Sequence, residues 1–244
     1  MEKFEKNNNL KSPEKESDYF LPDVFKELEP LTFSLVAKLK ENIDKGEYDV
    51  LIGDDASGRI PTLILRGVFN ARSRKLHPEL KDSDSEVVTR FIAGGQVENR
   101  KEMEEALKKI KSENNKKALV VTEYISSGKS MERMSEILNN LGMTFDVAAF
   151  ISNKEKIKIP EISRFLYGDL SLDNTYEDIP PAFYDKPELN GVVKDAHAQS
   201  YAIPFIKDLS AEQDEIKDIQ EKINLARKDV DLLVKKTLKE IWGE

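Results

Sequence analysis

Residues 118–131 read ALVVTEYISSGKSM, an apolar run that ends in an acid and opens into small residues. The run from Ala118 to Val121 is apolar on both faces of an extended chain, which is typical of a central strand in a parallel sheet. Apolar residues then recur from Met131 to Leu141 with the 3.6-residue period of a helix. The order is therefore strand, acid, loop and helix.

The predicted loop, residues 126–130, consists of hydroxyl side chains, one glycine and one lysine. The first N–H groups of a helix lack partners within the helix, and the helix dipole makes that end positive. A loop of hydroxyls and backbone N–H groups at a helix N-terminus is a geometry that binds phosphate. The stretch therefore predicts a phosphate site.

Two kinds of phosphate loop fit parts of this stretch. Gly128-Lys129-Ser130 has the ending of a Walker A loop, but that loop requires glycine where Glu123 stands, and a side chain there would crowd the nucleotide. The alternative is a hydrophobic strand, two acids, two further residues and a Thr/Ser-Thr/Ser-Gly-x-Thr/Ser loop. Here the chain resembles the signature of the type I phosphoribosyltransferases, with Thr122 in place of one acid. We favour this second interpretation.

In that family the two acids hold the ribose hydroxyls of phosphoribosyl pyrophosphate, and the loop holds its 5-phosphate. The resemblance implies that Thr122 and Glu123 contact the ribose. It implies that the 5-phosphate is bound by Ser126, Ser127, Gly128, Lys129 and Ser130. Because one acid of the pair is absent, ligand binding is expected, whereas catalysis stays open.

A second strand, loop and helix occur earlier in the chain, where the apolar residues 48–53 precede Asp-Asp-Ala-Ser-Gly-Arg. Taken alone, this loop is also compatible with an ordinary turn into a helix. In the family, the loop after the first core strand takes the pyrophosphate, and adenine phosphoribosyltransferases are similar here, with Glu-Ala-Arg-Gly. The resemblance implies a pyrophosphate loop made of Asp55, Ala56, Ser57, Gly58 and Arg59. Ser57 stands where that family has arginine, so Arg59 is the expected cation.

Further apolar runs at 87–92, 145–151 and 164–168 predict additional strands, and residues 21–39 predict a helix or a pair broken at Pro30. Strands that alternate with helices predict an α/β fold with a doubly wound, mainly parallel sheet. Ligands of such sheets bind at the carboxyl ends of the strands, where both predicted loops lie. The resemblance implies the type I phosphoribosyltransferase version of this fold.

The chain divides into three predicted parts. Residues 1–18 offer nothing to bury and are expected to be a disordered tail. Residues 19–209 form the α/β domain, in which 169–208 lose periodicity and resemble, in position only, the hood that holds the nucleobase in the family. Residues 210–244 form an amphipathic helix, for which packing on the core and pairing in a homodimer both stay open.

The hood contains side chains that are suited to a base. Aromatic rings such as Phe183 and Tyr184 could stack on it, and Lys194 could contact its edge. The resemblance does not identify the base.

Composition excludes several other classes of protein. The net charge of −8 argues against nonspecific binding to nucleic acid or to an anionic membrane surface. The chain has no cysteine and only His77 and His197, so neither a thiol nucleophile nor a protein metal site is predicted. No apolar run approaches the length of a membrane span, and the N-terminus lacks the apolar core of a leader. We expect a cytoplasmic protein.

The resemblance implies a transferase of nucleotide metabolism, a pentosyl glycosyltransferase, that displaces pyrophosphate from ribose with a nucleobase nitrogen. Glu123 and Arg59 are the expected catalytic residues, and Mg²⁺ is expected to arrive with the pyrophosphate. The partner is a small phosphoribosyl or nucleotide ligand. The alternative is a non-catalytic nucleotide sensor on the same fold, favoured by Thr122 in place of an acid and Ser57 in place of a cation.

Overall fold

The computed structural model of the chain describes residues 18–54, 58–79, 86–92, 100–113, 117–125, 128–152, 164–168, 187–194, 202–204 and 213–244. The elements within these ranges, in chain order, are α1 (Pro22–Asp44), β1 (Tyr48–Asp54), α2 (Arg59–Leu76), β2 (Val88–Ile92), α3 (Arg100–Glu113), β3 (Lys117–Ile125), α4 (Lys129–Asn140), β4 (Phe145–Ser152), β5 (Phe165–Tyr167), α5 (Pro187–Asn190), β6 (Val192–Lys194), β7 (Ala202–Pro204) and α6 (Gln213–Trp242).

Strands β1 to β5 form one parallel sheet in the order β2-β1-β3-β4-β5. Helices α1, α2 and α6 cover one face of this sheet, and α3 and α4 cover the other. Strands β3 and β4 are buried along nearly their whole length because both faces are covered. The molecule is a three-layer, Rossmann-like α/β fold, which confirms the predicted doubly wound parallel sheet.

The path of the chain reverses at the centre of the sheet. From β1 the chain moves through α2 to β2 on one side, and from β2 it returns past β1 through α3 to β3 on the other side. The connecting helices lie on opposite faces for these opposite movements, as a single crossover hand requires. The carboxyl ends of β1 and β3 therefore border a crevice, which we call the switch point.

Strand β3 extends further than the apolar pattern predicts. The apolar run ends at Val121, but the strand continues to Ile125. The neighbouring strand β4 runs to Ser152 and supplies backbone partners for this extension, with Thr122 opposite Ala149. The residues predicted to contact ribose are therefore strand residues.

One helix differs from the sequence expectation, and another takes one of the two forms that the sequence left open. Helix α4 begins at Lys129, so Lys129 and Ser130 belong to its first turn and not to a loop. Helix α1 continues through Pro30 as a single helix. Proline removes one backbone hydrogen bond, but Leu28 and Leu31 on either side are buried in the core, which favours continuation of the helix.

The terminal helix α6 packs against α1 and α2 of its own chain. Three of its own residues are buried in the core: Ala226, Val230 and Leu233. At the crossing with α2, a β-carbon on Gly67 would lie 2.6 Å from Val234 Cγ2, so the absence of a side chain permits this close approach. Of the two packings left open by the sequence, the apolar stripe of α6 takes the one within the chain.

Part of the predicted hood is described. Strands β6 and β7 form an antiparallel pair, in which Lys194 is opposite Ala202. Phe183, Tyr184 and the tail 1–17 lie outside the described residues. Within the described ranges, none of the helices combines the length and the apolar character needed to cross a membrane.

Candidate functional site

The start of α2 lies against the end of β3. Gly58 N–H donates to the Asp54 carbonyl oxygen at 2.8 Å, which closes the turn between β1 and α2. A β-carbon on Gly58 would lie 2.7 Å from that oxygen and 2.8 Å from the carbonyl oxygen of Val121. Gly58, the N-cap of α2, therefore touches β3 two residues before Glu123.

Gly128 is the N-cap of α4, the second helix at the switch point. Its φ of +76° is left-handed, a conformation that residues with a side chain rarely adopt. Its carbonyl oxygen accepts the N–H of Glu132 at 2.8 Å, the first hydrogen bond of α4. Lys129 is exposed and Ser130 is half-buried in the first turn. The positive end of α4 thus lies at the carboxyl edge of the sheet, as does that of α2.

The remaining loop residues of the prediction lie outside the described residues. These are Asp55, Ala56 and Ser57 in the first loop and Ser126 and Ser127 in the second. The described residues that flank them bring the two loops to one edge of the sheet. Their assignment to pyrophosphate and 5-phosphate stays a prediction.

Arg59 is the first residue of α2, and its side chain lies over an aromatic ring. The guanidinium carbon is 4.4 Å from the centroid of the Phe91 ring, at the end of β2. The first turn of α2 contains no acidic residue. Pro61 lacks an N–H group, so Arg59 and Ile60 carry the backbone donors that precede it in this turn. The cation expected at this loop therefore lies at its helical end.

Thr122 and Glu123 are buried, at 1% and 0% exposure. Alternation with Leu119 and Val121, which face the α2 side of the sheet, assigns Glu123 to that side as well. The Thr122 hydroxyl makes one long hydrogen bond, of 3.5 Å, to the Tyr124 carbonyl oxygen. Thr122, one residue earlier in the strand than Glu123, faces the opposite side of the sheet, with Ala118 and Val120.

Comparison of the chain with protein-family models, with curated proteins and with solved structures returned no match. The site is therefore interpreted from its own geometry.

Metal binding by the protein itself has no support among the described residues, which contain no group of three His, Cys, Asp or Glu side chains arranged to hold an ion.

The opposite edge of the sheet, at the amino ends of the strands, carries a buried polar network. Asp146, fully buried, accepts the Tyr48 hydroxyl at 2.5 Å and pairs with Lys117 at 2.7 Å. Lys117 also pairs with Glu47 at 3.1 Å. Burial raises the pKa of Tyr48, and its hydrogen bond to Asp146 raises that pKa further. Burial lowers the pKa of Lys117, but the hydrogen bonds to Asp146 and Glu47 outweigh this and the net pKa is raised.

A cavity of about 250 Å³ lies near this network and includes Tyr48 and Phe69 in its lining. Asp44, Asp49 and Glu86 also line it. The lining has three carboxyl groups against Lys45 and His77, an excess of acid that disfavours a phosphate, and the helices whose positive ends could offset this begin at the other edge. We therefore place the phosphate-binding candidate at the switch point and not in this cavity.

Three residues of the site escaped the sequence interpretation. Asp54, 7% exposed, supplies the carbonyl that closes the first turn. Gly53 of β1 lies opposite Phe91 of β2 in the sheet, and the Arg59 side chain lies over the Phe91 ring. In the sequence, Phe91 has the pattern of a core strand residue, and only its contact with Arg59 distinguishes it.

Proposed function

We propose that the chain binds phosphoribosyl pyrophosphate or a nucleotide 5-phosphate at the switch point, as a phosphoribosyltransferase of the type I fold. The observation that carries this proposal is the contact of Gly58 with the Val121 carbonyl, since it brings the start of α2 against the strand that leads to α4, and both helices begin at the same edge of the sheet. One phosphate loop could bind a monophosphate, whereas two adjacent loops suit a ligand with phosphate groups at both ends.

In this proposal the residues divide the ligand between them. The loop ending in Gly128, Lys129 and Ser130 takes the 5-phosphate, and the loop ending in Gly58 and Arg59 takes the pyrophosphate. Thr122 and Glu123 lie beneath the ribose, and Phe183, Tyr184 and Lys194 of the hood take the base.

The proposed reaction needs no side-chain nucleophile. The bond between ribose C1 and the pyrophosphate oxygen breaks while a base nitrogen forms the new bond to C1, and that nitrogen loses its proton. The protein holds the two reactants in line and supplies positive charge to the departing pyrophosphate through Arg59 and the α2 N-terminus. In this proposal Glu123 stabilises the cationic character of the ribose ring in the transition state.

A second candidate function is a nucleotide sensor without catalysis. In the type I phosphoribosyltransferases a pair of acids contacts ribose. Here one of the two positions is the uncharged Thr122, and both Thr122 and Glu123 are buried. Binding of the two phosphate groups does not depend on that pair. The alternative therefore shares the binding site and lacks the chemical step.

Calorimetric titration with phosphoribosyl pyrophosphate, ribose 5-phosphate and magnesium pyrophosphate tests the site. A parallel assay measures pyrophosphate release from phosphoribosyl pyrophosphate with a panel of nucleobases. Binding with release supports the transferase, and binding without release supports the sensor. Absence of binding of all three ligands contradicts both.

Two lysine variants separate a local site from general attraction of anions. Lys129→Gln should weaken ribose 5-phosphate binding by about tenfold, the effect of losing one hydrogen bond to a charged group. Lys239→Gln removes the same charge from the last turn of α6 and should have no effect. Equal effects of the two substitutions would contradict a 5-phosphate site at α4.

A further inference from the structure

Phe91 joins the edge strand β2 to the first residue of α2. Its ring centroid is 4.4 Å from the Arg59 guanidinium carbon, within the distance at which a cation is attracted to the face of an aromatic ring. Arginine is suited to this arrangement because its planar guanidinium can stack on the ring while its N–H groups remain directed outward. The ring therefore restricts the directions that the Arg59 side chain can take.

The place of the ring is itself set by its neighbours. A β-carbon on Gly53, opposite Phe91 in the sheet, would lie 2.7 and 2.9 Å from two ring carbons and 2.6 Å from Thr62 Oγ1. The Thr62 hydroxyl donates to the Gly58 carbonyl oxygen at 2.6 Å. The ring thus occupies space that glycine leaves open, beside a turn of α2 held by its own hydrogen bond.

Two sources of positive charge meet in the first turn of α2. A cation in the first turn of a helix is repelled by the positive end of the dipole, and this turn contains no acidic side chain. The N-terminus of α2 and the Arg59 guanidinium therefore place two positive charges close together. A bound phosphate group would be attracted by both.

We propose that Phe91 is a positioning residue that aims the Arg59 guanidinium at the pyrophosphate end of the ligand. This inference rests on the proposed function and deepens it, because it assigns the two ends of the ligand to different residues. Arg59 follows the β1 loop and lies on the β2 side of the switch point, whereas Gly128 and α4 follow β3. The ring therefore acts on a ligand with a diphosphate on ribose C1 and not on its 5-phosphate.

The test compares two probes, magnesium pyrophosphate and ribose 5-phosphate, by calorimetric titration of the full chain. Phe91→Leu keeps an apolar side chain but removes the ring, and should weaken pyrophosphate binding by about twofold to tenfold, the cost of ordering one long side chain on binding. Ribose 5-phosphate binding should stay unchanged. Phe91→Tyr keeps the ring and should bind both probes as the unsubstituted chain does.

A matched control and a double variant complete the comparison. Phe165→Leu makes the same change in β5, at the opposite edge of the sheet, and should alter neither affinity. Arg59→Gln should weaken pyrophosphate binding, and adding Phe91→Leu to it should cause no further loss, because the ring acts through Arg59.

The outcomes distinguish this inference from the proposed function. If the unsubstituted chain binds neither probe, both fail. If it binds both and Phe91→Leu leaves pyrophosphate affinity intact or weakens both probes equally, only the positioning role of Phe91 is overturned.

A measurement without ligand covers the case in which Phe91→Leu does not fold. Proton resonances of the Arg59 side chain should be shifted upfield by the ring in the unsubstituted chain and in Phe91→Tyr. Unshifted resonances would show that the stack is not formed, and would overturn the inference.

Discussion

Gly58 and Val121 are in contact across the top of the sheet, since a β-carbon on Gly58 would lie 2.8 Å from the Val121 carbonyl oxygen. They are 63 positions apart in the chain, Gly58 directly before α2 and Val121 in β3. This contact brings the start of α2 to the end of the strand that leads into the second loop. The geometry of the switch point depends on it.

Gly58→Ala should separate these elements. All three atoms within 3 Å of the added β-carbon are backbone atoms, which cannot move as a flexible side chain can. We expect a loss of about 1–3 kcal/mol in the free energy of unfolding, measured with urea, and weaker binding of magnesium pyrophosphate. Gly46→Ala is the control: no atom lies within 4 Å of its β-carbon, so any cost comes from its φ of +57°, and binding should be kept. A Gly58→Ala variant as stable as the unsubstituted chain would contradict the contact.

Gly128→Val should abolish the 5-phosphate site beyond its effect on stability. The matched control is Gly142→Val, because both glycines flank α4 with left-handed φ values, +76° and +63°. Both variants should lose roughly 1–2 kcal/mol or more of unfolding free energy, the cost of a left-handed residue with a side chain. Only Gly128→Val should weaken ribose 5-phosphate binding, measured by calorimetry. Equal affinities of the two variants would argue against the site.

Lys117→Met should destabilise the chain strongly. It leaves the fully buried Asp146 carboxylate without the ammonium group that lies 2.7 Å away. Removing one partner of a buried pair costs about 3–5 kcal/mol, measurable by urea unfolding. The triple variant with Asp146→Leu and Tyr48→Phe removes the buried carboxylate together with both groups that bond to it. It should recover most of the lost unfolding free energy. If Lys117→Met alone changes the free energy of unfolding by less than about 1 kcal/mol, the pair is much weaker than buried ion pairs usually are, and the network is not coupled.

Acid should weaken the fold in part through Glu47. The hydrogen bond from Asn42 lowers the pKa of Glu47, and the bond from Lys117 lowers that pKa further against the effect of burial. Because the folded pKa lies below the unfolded one, this contribution to stability is complete above about pH 4.5 and is lost as the pH falls through the folded pKa. Urea unfolding between neutral and acidic pH should therefore show a smaller acid loss in Glu47→Gln. Glu221→Gln, at an exposed position on α6, should follow the unsubstituted chain.

Asp229→Asn should loosen the start of α1. The buried Asp229 carboxylate on α6 accepts the backbone N–H groups of Phe20 and Leu21 at 2.9 and 2.7 Å. An amide can replace only one of these acceptors, so we expect a loss of about 1.5–3 kcal/mol in unfolding free energy and faster amide exchange at both residues. Asp231→Asn, at an exposed position two residues away, should change stability by less than about 0.5 kcal/mol. Equal losses in the two variants would contradict a stabilising role for these two hydrogen bonds of Asp229.

The strands and most helices could be predicted from local pattern. The apolar runs at 48–53 and 118–121 become β1 and part of β3, because a strand covered on both faces must be apolar throughout. Helix α1 passes through Pro30 because burial of Leu28 and Leu31 continues on both sides. That outcome depends on packing against the rest of the core, which a single helix pattern does not contain.

The sequence alone determined the alternation of strands and helices and the small-residue loops after two of the strands, because periodicity and turn chemistry are local properties. Only the tertiary structure decided that the start of α2 meets β3, that Phe91 lies beneath Arg59, and that α6 packs on its own chain. Strand order and side-chain contacts between distant residues arise from burial shared by the whole sheet. An amphipathic stripe such as that of α6 can bury its apolar face on any apolar surface of matching shape, and here the surface of α1 and α2 completes the core.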